Sequence, residues 1–253
     1  MTHKNNMKIA VVTPTHCRPD FLRQTLRYVR AQTVQAEVAW FILDDSPNPV
    51  LEQWAHAPNI FYVHVPEKLK LGEKRNRLND MASAWGADLI CSMDDDDWYG
   101  PDYLADMASL LAQPGVEIAG SGAIFFYHVQ SGRILAPPAV RPMTTCNGVL
   151  CYRTSLLQVA RYNLNSSSGE EPTFIGRRPV GQHPRIQHVN LALAHDTNTV
   201  SKRNYFLDRT CHTELSLEEF PMEEADRQFY RNLTAEAAPR VGSPAAGLEN
   251  SGL

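Results

Sequence analysis

Short apolar, β-branched runs that stop at acidic clusters constrain this chain more than any other feature. Residues 8–13 read Lys-Ile-Ala-Val-Val-Thr before Pro14, and residues 38–43 end at Asp44-Asp45. Residues 60–65 make a third run, and residues 88–93 lead straight into Asp94-Asp95-Asp96-Asp97. Apolar runs without alternation suit strands buried on both faces, as in a parallel sheet. Helical periods separate them. Pro19 and Asp20 open a segment in which Leu22, Leu26 and Val29 recur. From Lys74, the residues Leu78, Met81, Ala82 and Trp85 share a helical face, and Gly86 stops the helix. After Pro101, the residues Leu104, Met107, Ala108 and Leu111 repeat that spacing. Strand and helix in alternation predict an α/β fold, with a mostly parallel sheet and helices on both faces. Ligands of such sheets bind beyond the carboxyl ends of the strands. Both acidic clusters follow strands directly, so the order alone predicts that they share one rim.

The second half is less regular. Residues 123–128, Gln130-Ser131-Gly132 and residues 133–136 read as a hairpin, which would make the sheet mixed. Residues 149–152 predict another strand, 154–159 a short helix, and 189–194 a last apolar run before His195. Residues 163–169 and 177–184 read as polar loops. Residues 217–233 have helical character, interrupted at Pro221, and from Ala235 the chain is rich in Ala, Pro, Gly and Ser. The expected organisation is a single domain over 1–233, split into halves at 8–111 and 112–233, with a disordered tail over 234–253.

With 253 residues, 43% of them hydrophobic, the chain can build a core without disulfide staples. Its five cysteines are odd in number and include no Cys-x-x-Cys pair, so neither a disulfide framework nor a zinc ribbon is expected. His183, His188, Cys211 and His212 also lack zinc-ligand spacing. The net charge of -4 argues against a dedicated nucleic-acid binder. The polar start has no signal-peptide core, and no apolar stretch approaches ~20 residues, so no transmembrane segment is expected. A cytoplasmic location is the default, compatible with peripheral membrane contact.

Three constellations bear chemistry. In strand geometry Asp94 and Asp96 point to one side, where oxygen ligands suit Mg²⁺ or Mn²⁺ held jointly with substrate phosphates; a solvated acidic turn is the alternative. Trp98 and Tyr99 stand where a calcium loop needs an oxygen ligand and a glycine. One of Asp44 and Asp45 can accept a uracil imide N–H or a ribose hydroxyl, or both can form a turn before Ser46-Pro47. Gly72-Glu73-Lys74-Arg75-Asn76-Arg77 starts a helix with cations that could reach a diphosphate, or make a solvated face with Glu73 as counter-ion.

Together these segments resemble the family 2 glycosyltransferases. The resemblance rests on Val12-Thr13-Pro14-Thr15, Leu43-Asp44-Asp45-Ser46, Gly72-x-x-Arg-Asn, and Met93-Asp-Asp-Asp-Asp-Trp-Tyr-Gly-Pro-Asp-Tyr-Leu, in the family's order and spacing from about Lys8 to Leu111. It implies a Rossmann-like GT-A fold and a nucleotide-diphospho-sugar donor, with a UDP-sugar favoured. By position it implies that Pro14, Thr15 and Arg18 line the nucleotide pocket, Asp45 contacts the base, and Arg75 approaches the phosphates. Asp95 joins the donor-binding set. Asp94 and Asp96 match the family's metal motif, with Asp96 preferred as direct ligand. The family's late acidic pair falls on Glu170-Glu171, with Glu171 preferred as general base, although Glu replaces the usual Asp and Pro172 follows. His195 resembles a late histidine that serves as a third metal ligand or diphosphate contact. The implied activity is metal-dependent, inverting transfer to an acceptor hydroxyl on a saccharide, lipid-linked or other molecule. A nucleotidyltransferase is the rival enzyme, opposed by the lack of any glycine between Met1 and Leu71. A non-catalytic nucleotide-sugar-binding domain is the third possibility.

Overall fold

The computed structural model describes residues 6–51, 57–138, 144–196, 198 and 201–237. Strand β1 (Lys8–Thr15) is followed by α1 (Pro19–Arg30), β2 (Glu37–Asp44), β3 (Ile60–His64), α2 (Leu71–Trp85) and β4 (Leu89–Ser92). Then come β5 (Trp98–Tyr99), α3 (Tyr103–Leu111), β6 (Ile118–Gly120), β7 (Phe126–His128), β8 (Arg133–Leu135) and β9 (Cys151–Arg153). The remaining elements are α4 (Glu171–Ile175), β10 (Val180–Gln182), β11 (Asn190–Ala194), α5 (Arg203–Leu207) and α6 (Glu224–Ala237).

A seven-stranded sheet runs in the order β10-β6-β9-β4-β1-β2-β3. Strands β1, β2, β3 and β4 are mutually parallel, and β9 is antiparallel to both β4 and β6. The sheet is therefore mixed, through β9. The expected hairpin exists as β7 and β8, but it belongs to a second, four-stranded sheet ordered β5-β11-β7-β8. A three-residue hairpin strand with a polar turn does not declare which sheet it joins.

Alternation along the strands sets the layers. Ile9, Val11, Trp40 and Ile42 face a core shared with Leu22 and Tyr28 of α1 and Leu104 and Met107 of α3. Ala10, Val12, Ala39 and Phe41 face the other way, against Leu78 and Ala82 of α2. Helices thus cover both faces. Gly86 closes α2 at φ +83°, a left-handed conformation that a Cβ disfavours.

Some boundaries differ from the sequence expectation. Helix α2 begins at Leu71, ahead of its apolar repeat, because Gly72 and Glu73 belong to its polar first turn. Residues 177–184, read as a loop, contain β10, whose three residues carry a single apolar side chain, Val180. The segment 217–233 divides at Pro221 into a 3-10 turn (Leu217–Glu219) and α6. Helix α6 continues to Ala237, past the expected boundary at 234, and Thr234 Oγ1 lies 2.7 Å from the Tyr127 hydroxyl. The rest of the expected tail, 238–253, lies outside the described residues.

Topology fixes the site. From β1 the chain goes to β2 on one side, while β4 lies on the other, so strand order reverses beside β1. The carboxyl ends of β1, β2 and β4 open into a crevice there. Thr13 fastens that rim: its Oγ1 donates to Met93 O at 2.7 Å and accepts from Trp40 Nε1 at 2.8 Å.

Candidate active site

At the end of β2 the two aspartates part company. Asp44 is wholly buried and accepts from the backbone of Ser46 and Val50 and from the Tyr62 hydroxyl, so it builds the turn. Asp45 points toward the crevice. Its Oδ1 accepts from Lys74 Nζ at 2.7 Å and its Oδ2 from Leu69 N at 2.8 Å. Residue patterns alone left these two roles open, and the family resemblance gave the base contact to Asp45. The α2 cations also separate: Lys74 is buried on Asp45 and Thr15 O, and Arg77 pairs at the surface with Glu73. Only Arg75 of the three reaches the aspartate run.

That run is tied in place residue by residue. Thr15 Oγ1 donates to Asp95 at 2.6 Å, and Arg18 Nη1 lies 2.8 Å from both Asp95 and Asp96. Asp96 Oδ2 also meets His195 Nε2 at 2.9 Å and Asn198 Nδ2 at 3.2 Å. Asp97 Oδ1 accepts from Leu193 N of β11 at 2.9 Å, joining the acidic turn to the second sheet. Arg75 Nη2 donates to Asp94 at 3.0 Å, and its Nε donates to Glu170 at 2.7 Å. Asn147 Nδ2 gives Glu170 a second bond at 2.7 Å, and Asn147 N donates to Glu171 at 3.2 Å.

Two adjoining hollows result. One, about 200 Å³ in volume, is lined by Arg75, Asp94 to Asp97, Asn147, Gly148, Glu170, Glu171 and Lys202, with Ile124 and Phe126 as an apolar wall. The other is lined by Thr15, His16, Asp45, Lys68, Lys70 and Lys74. Pro14, Arg18, Leu71, Asp95 and Asn198 border both. Every sequence-predicted site residue except His195 lines one of them; His195 instead packs behind Asp96, its ring stacked on Phe21 at 5.4 Å. Asn147, Gly148 and Lys202 were missed. An Asn-Gly turn directly before the 149–152 strand was the available signal for the first two; Lys202 had none.

Burial and charge divide the four carboxyls. Burial raises Asp94 against the pull of Arg75, and raises Asp95 to about 6 against the pull of Arg18. Burial also opposes ionisation of Asp96, but the His195 hydrogen bond and the Arg18 charge hold it below the usual range. Asp97 is pushed well up by burial, with Asp96 and Asp94 adding repulsion. Glu171 is raised mainly by burial. Arg75 stays charged: burial works against it, but Asp94 and Glu170 outweigh that.

Among the described residues no three His, Cys, Asp or Glu side chains converge as a ready-made metal cage. The oxygen donors fit a sparser arrangement. Asp94 is 28% exposed into the first hollow, and Asp96 lines it too. One or two carboxylates completed by substrate phosphates is a common Mg²⁺ or Mn²⁺ arrangement. His195 Nε2 is engaged with Asp96, so its contact is with the carboxylate.

Comparison with known proteins bears on this site. The model of glycosyl transferase family 2 matches residues 10–147, more than half of the chain. No curated protein matches the sequence. Among solved structures, Staphylococcus aureus TarS residues 1–349 in complex with UDP-GlcNAc superposes with a TM-score of 0.60 at 15% identity, covering 91% of this chain and 72% of that one. The mannosyltransferase PcManGT from Pyrobaculum calidifontis, in complex with GDP-Man and Mn²⁺, gives a TM-score of 0.56 at 13% identity, with 92% and 74% covered. At these identities the likeness speaks for the fold. The matched segment includes most of β1, the Asp44-Asp45 turn, Arg75, the aspartate run and Asn147, and the chain belongs to glycosyl transferase family 2, as a glycosyltransferase with the GT-A fold.

Proposed function

We propose that this enzyme is a divalent-metal-dependent, inverting transferase that moves a sugar from a nucleotide diphosphate to an acceptor hydroxyl. One observation carries the reading: Arg75 bridges Asp94 of the acidic run and Glu170 of the late acidic pair, so both face one cleft. The nucleotide occupies the hollow at Thr15, Asp45 and Lys74, and the sugar with its phosphates lies toward Asp94 and Asp96. Arg18 and Arg75 hold the carboxylates aligned. A Mn²⁺ or Mg²⁺ ion, when bound with the phosphates, supplies positive charge against the leaving diphosphate.

Glu171 is the proposed base. Glu170 is committed to Arg75 and Asn147 and is almost fully buried, whereas Glu171 lines the cleft at the first turn of α4. Its raised proton affinity suits removal of a proton from the acceptor hydroxyl. A single displacement by that hydroxyl inverts the anomeric centre. A UDP-sugar is the favoured donor, since Asp45 can accept an imide N–H; a guanine edge competes for the same acceptor, and the neighbours hold one donor of each kind. The acceptor supplies a hydroxyl, on a saccharide, a lipid-linked carrier or another molecule. The β1–α1 turn, Thr15-His16-Cys17-Arg18, has no glycine to cradle a triphosphate, which disfavours a nucleotidyltransferase.

The test is a thermal-shift screen of UDP- and GDP-sugars with and without Mn²⁺, followed by NMR of the anomeric product. Metal-enhanced stabilisation by a nucleotide sugar and an inverted linkage are expected. Release of pyrophosphate from a nucleoside triphosphate would instead identify a nucleotidyltransferase.

A further inference from the structure

The two ends of the seven-stranded sheet are guarded very differently. Edge strand β10 is short and is preceded by Arg177, Arg178 and Pro179, the residues that discourage strand pairing. Edge strand β3 reads Ile-Phe-Tyr-Val-His, with no charged residue, proline or glycine. Among the described residues β2 is its only ladder partner. Phe61 and Val63 are 40% and 39% exposed, two of the few large apolar side chains so open among the described residues. They project on one face, where Phe61 stacks on Phe41 at 4.6 Å.

Backbone direction completes the pattern. Asn59 O accepts from Trp40 N, and Val65 N donates to Asp44 O, each at 2.8 Å. Because the strand period is two, the odd-numbered residues of β3 bond to β2 and the even-numbered ones turn their backbone groups outward, except that Ile60 N already donates to Ala57 O at 3.2 Å. Tyr62 and His64 are tied on the opposite face, through the Tyr62 hydroxyl to Val50 N and through His64 Nε2 to Ser46 O. They therefore hold the outward groups in register.

We infer that β3 is a self-association edge that pairs antiparallel with β3 of a second copy about a two-fold axis at Tyr62. A second copy fits because the register is self-complementary. With Tyr62 opposite Tyr62, the outward N–H and C=O groups of that residue exchange directly. Phe61 of each copy then falls opposite Val63 of the other, in the closely spaced, non-hydrogen-bonded position where aromatic and β-branched side chains pair best. Ile60 falls opposite His64, whose N–H meets the Ile60 carbonyl. The two sheets become one continuous sheet. The active-site crevice, beside β1 and β4, stays open in both copies. An edge this short buries little area, so the dimer is weak and dissociates at roughly 10 µM.

Sedimentation over a concentration series, with residue-resolved amide exchange, tests this on the full chain. A reversible monomer–dimer equilibrium is expected, with the Tyr62 and His64 amides slowing as concentration rises and the Phe61 and Val63 amides slow throughout. Val63→Lys puts a charge on an already exposed position and should leave a monomer with unchanged circular dichroism; Val63→Thr should still dimerise. A chain that stays monomeric to about 500 µM, well above that dissociation constant, overturns the inference. So does a dimer that persists in Val63→Lys, or one in which Tyr62 and His64 exchange as fast as in the monomer. The amide readout needs only the unmutated protein, so a misfolded variant does not spoil it.

Discussion

Arg75 and Glu170 form an ion pair that water hardly reaches: Nε donates to Oε1 at 2.7 Å, and the side chains are 5% and 2% exposed. The guanidinium spends its other arm on Asp94, so one planar group sets the spacing between the acidic run and α4. Arg75→Met removes the cation and leaves Glu170 buried with Asn147 as its remaining partner. Breaking a buried pair from one side typically costs about 3–5 kcal/mol. Chemical denaturation should show a loss of that size with little change in slope. Arg75→Lys keeps a charge but cannot span both acids, so it should fold better than Arg75→Met and still turn over slowly.

The pH profile follows from Glu171 as the proposed base. A base acts deprotonated, and burial raises this carboxyl above its ordinary value. Activity is therefore full above the raised pKa and falls as pH drops through it. The acid limb of kcat/KM should lie above the unperturbed glutamate value of about 4.3. Glu171→Gln should lower kcat by at least ~100-fold, at the lower end of what acid–base catalysis supplies, with donor affinity nearly unchanged. Equal turnover in that variant would move the base elsewhere.

Gly148 tests how tightly the cleft is built. A Cβ added there would sit 2.9 Å from Asp97 Oδ2 and 3.4 Å from Asp94 Oδ2. Asp97 cannot swing away freely, since Leu193 N holds its other oxygen. Gly148→Ala should therefore shift the turn that carries Asn147, the partner of Glu170 and Glu171, and cut turnover about tenfold, the effect of roughly 1.4 kcal/mol on the barrier. The melting temperature should fall far less than in Arg75→Met.

The legible parts of this protein are those where one chemical signal decides the outcome. Apolar runs of six residues announce β1, β2 and β4, and they place Asp45 and Asp94 to Asp97 on one rim because strand ends are fixed by the order of elements. Short-range patterns could not separate Asp44 from Asp45: both stand at the end of β2, and the Tyr62 hydroxyl, reaching over from β3, joins Ser46 and Val50 in holding the first in the turn. Strand β6 stayed invisible for a related reason. Its three residues, Ile118–Gly120, are strand by virtue of β9 and β10 beside them, a context the local sequence does not carry. Asn147 is a partner of Glu170 and Tyr162, and neither partnership has a sequence spacing to betray it. His195 was visible as a residue of interest, but its direction was not, because the stacking ring of Phe21 comes from the far end of the chain.

That ring gives the last prediction. Asp96 Oδ2 is the meeting point of Arg18, His195 and Asn198, at 2.8, 2.9 and 3.2 Å. Asp96→Ala removes the carboxylate itself and should lower turnover by at least ~100-fold, the usual scale for a lost electrostatic contact to a transition state. Phe21 touches none of these oxygens. It stacks on His195 with 29° between planes and is itself met edge-on by Phe229 of α6 at 6.0 Å. Stacking of this kind contributes about 0.5–1.5 kcal/mol beyond burial. Phe21→Leu preserves apolar volume but loses the flat face that sets the imidazole plane. It should raise the Mn²⁺ concentration for half-saturation by up to about tenfold, the equivalent of that energy, as read by Mn²⁺ paramagnetic resonance without any turnover. At saturating Mn²⁺ its kcat should return close to normal, which Asp96→Ala cannot do. Near-normal turnover of Asp96→Ala at saturating Mn²⁺ would remove Asp96 from the proposed metal site, and an unchanged Mn²⁺ requirement in Phe21→Leu would reduce the Phe21–His195 stack to packing alone.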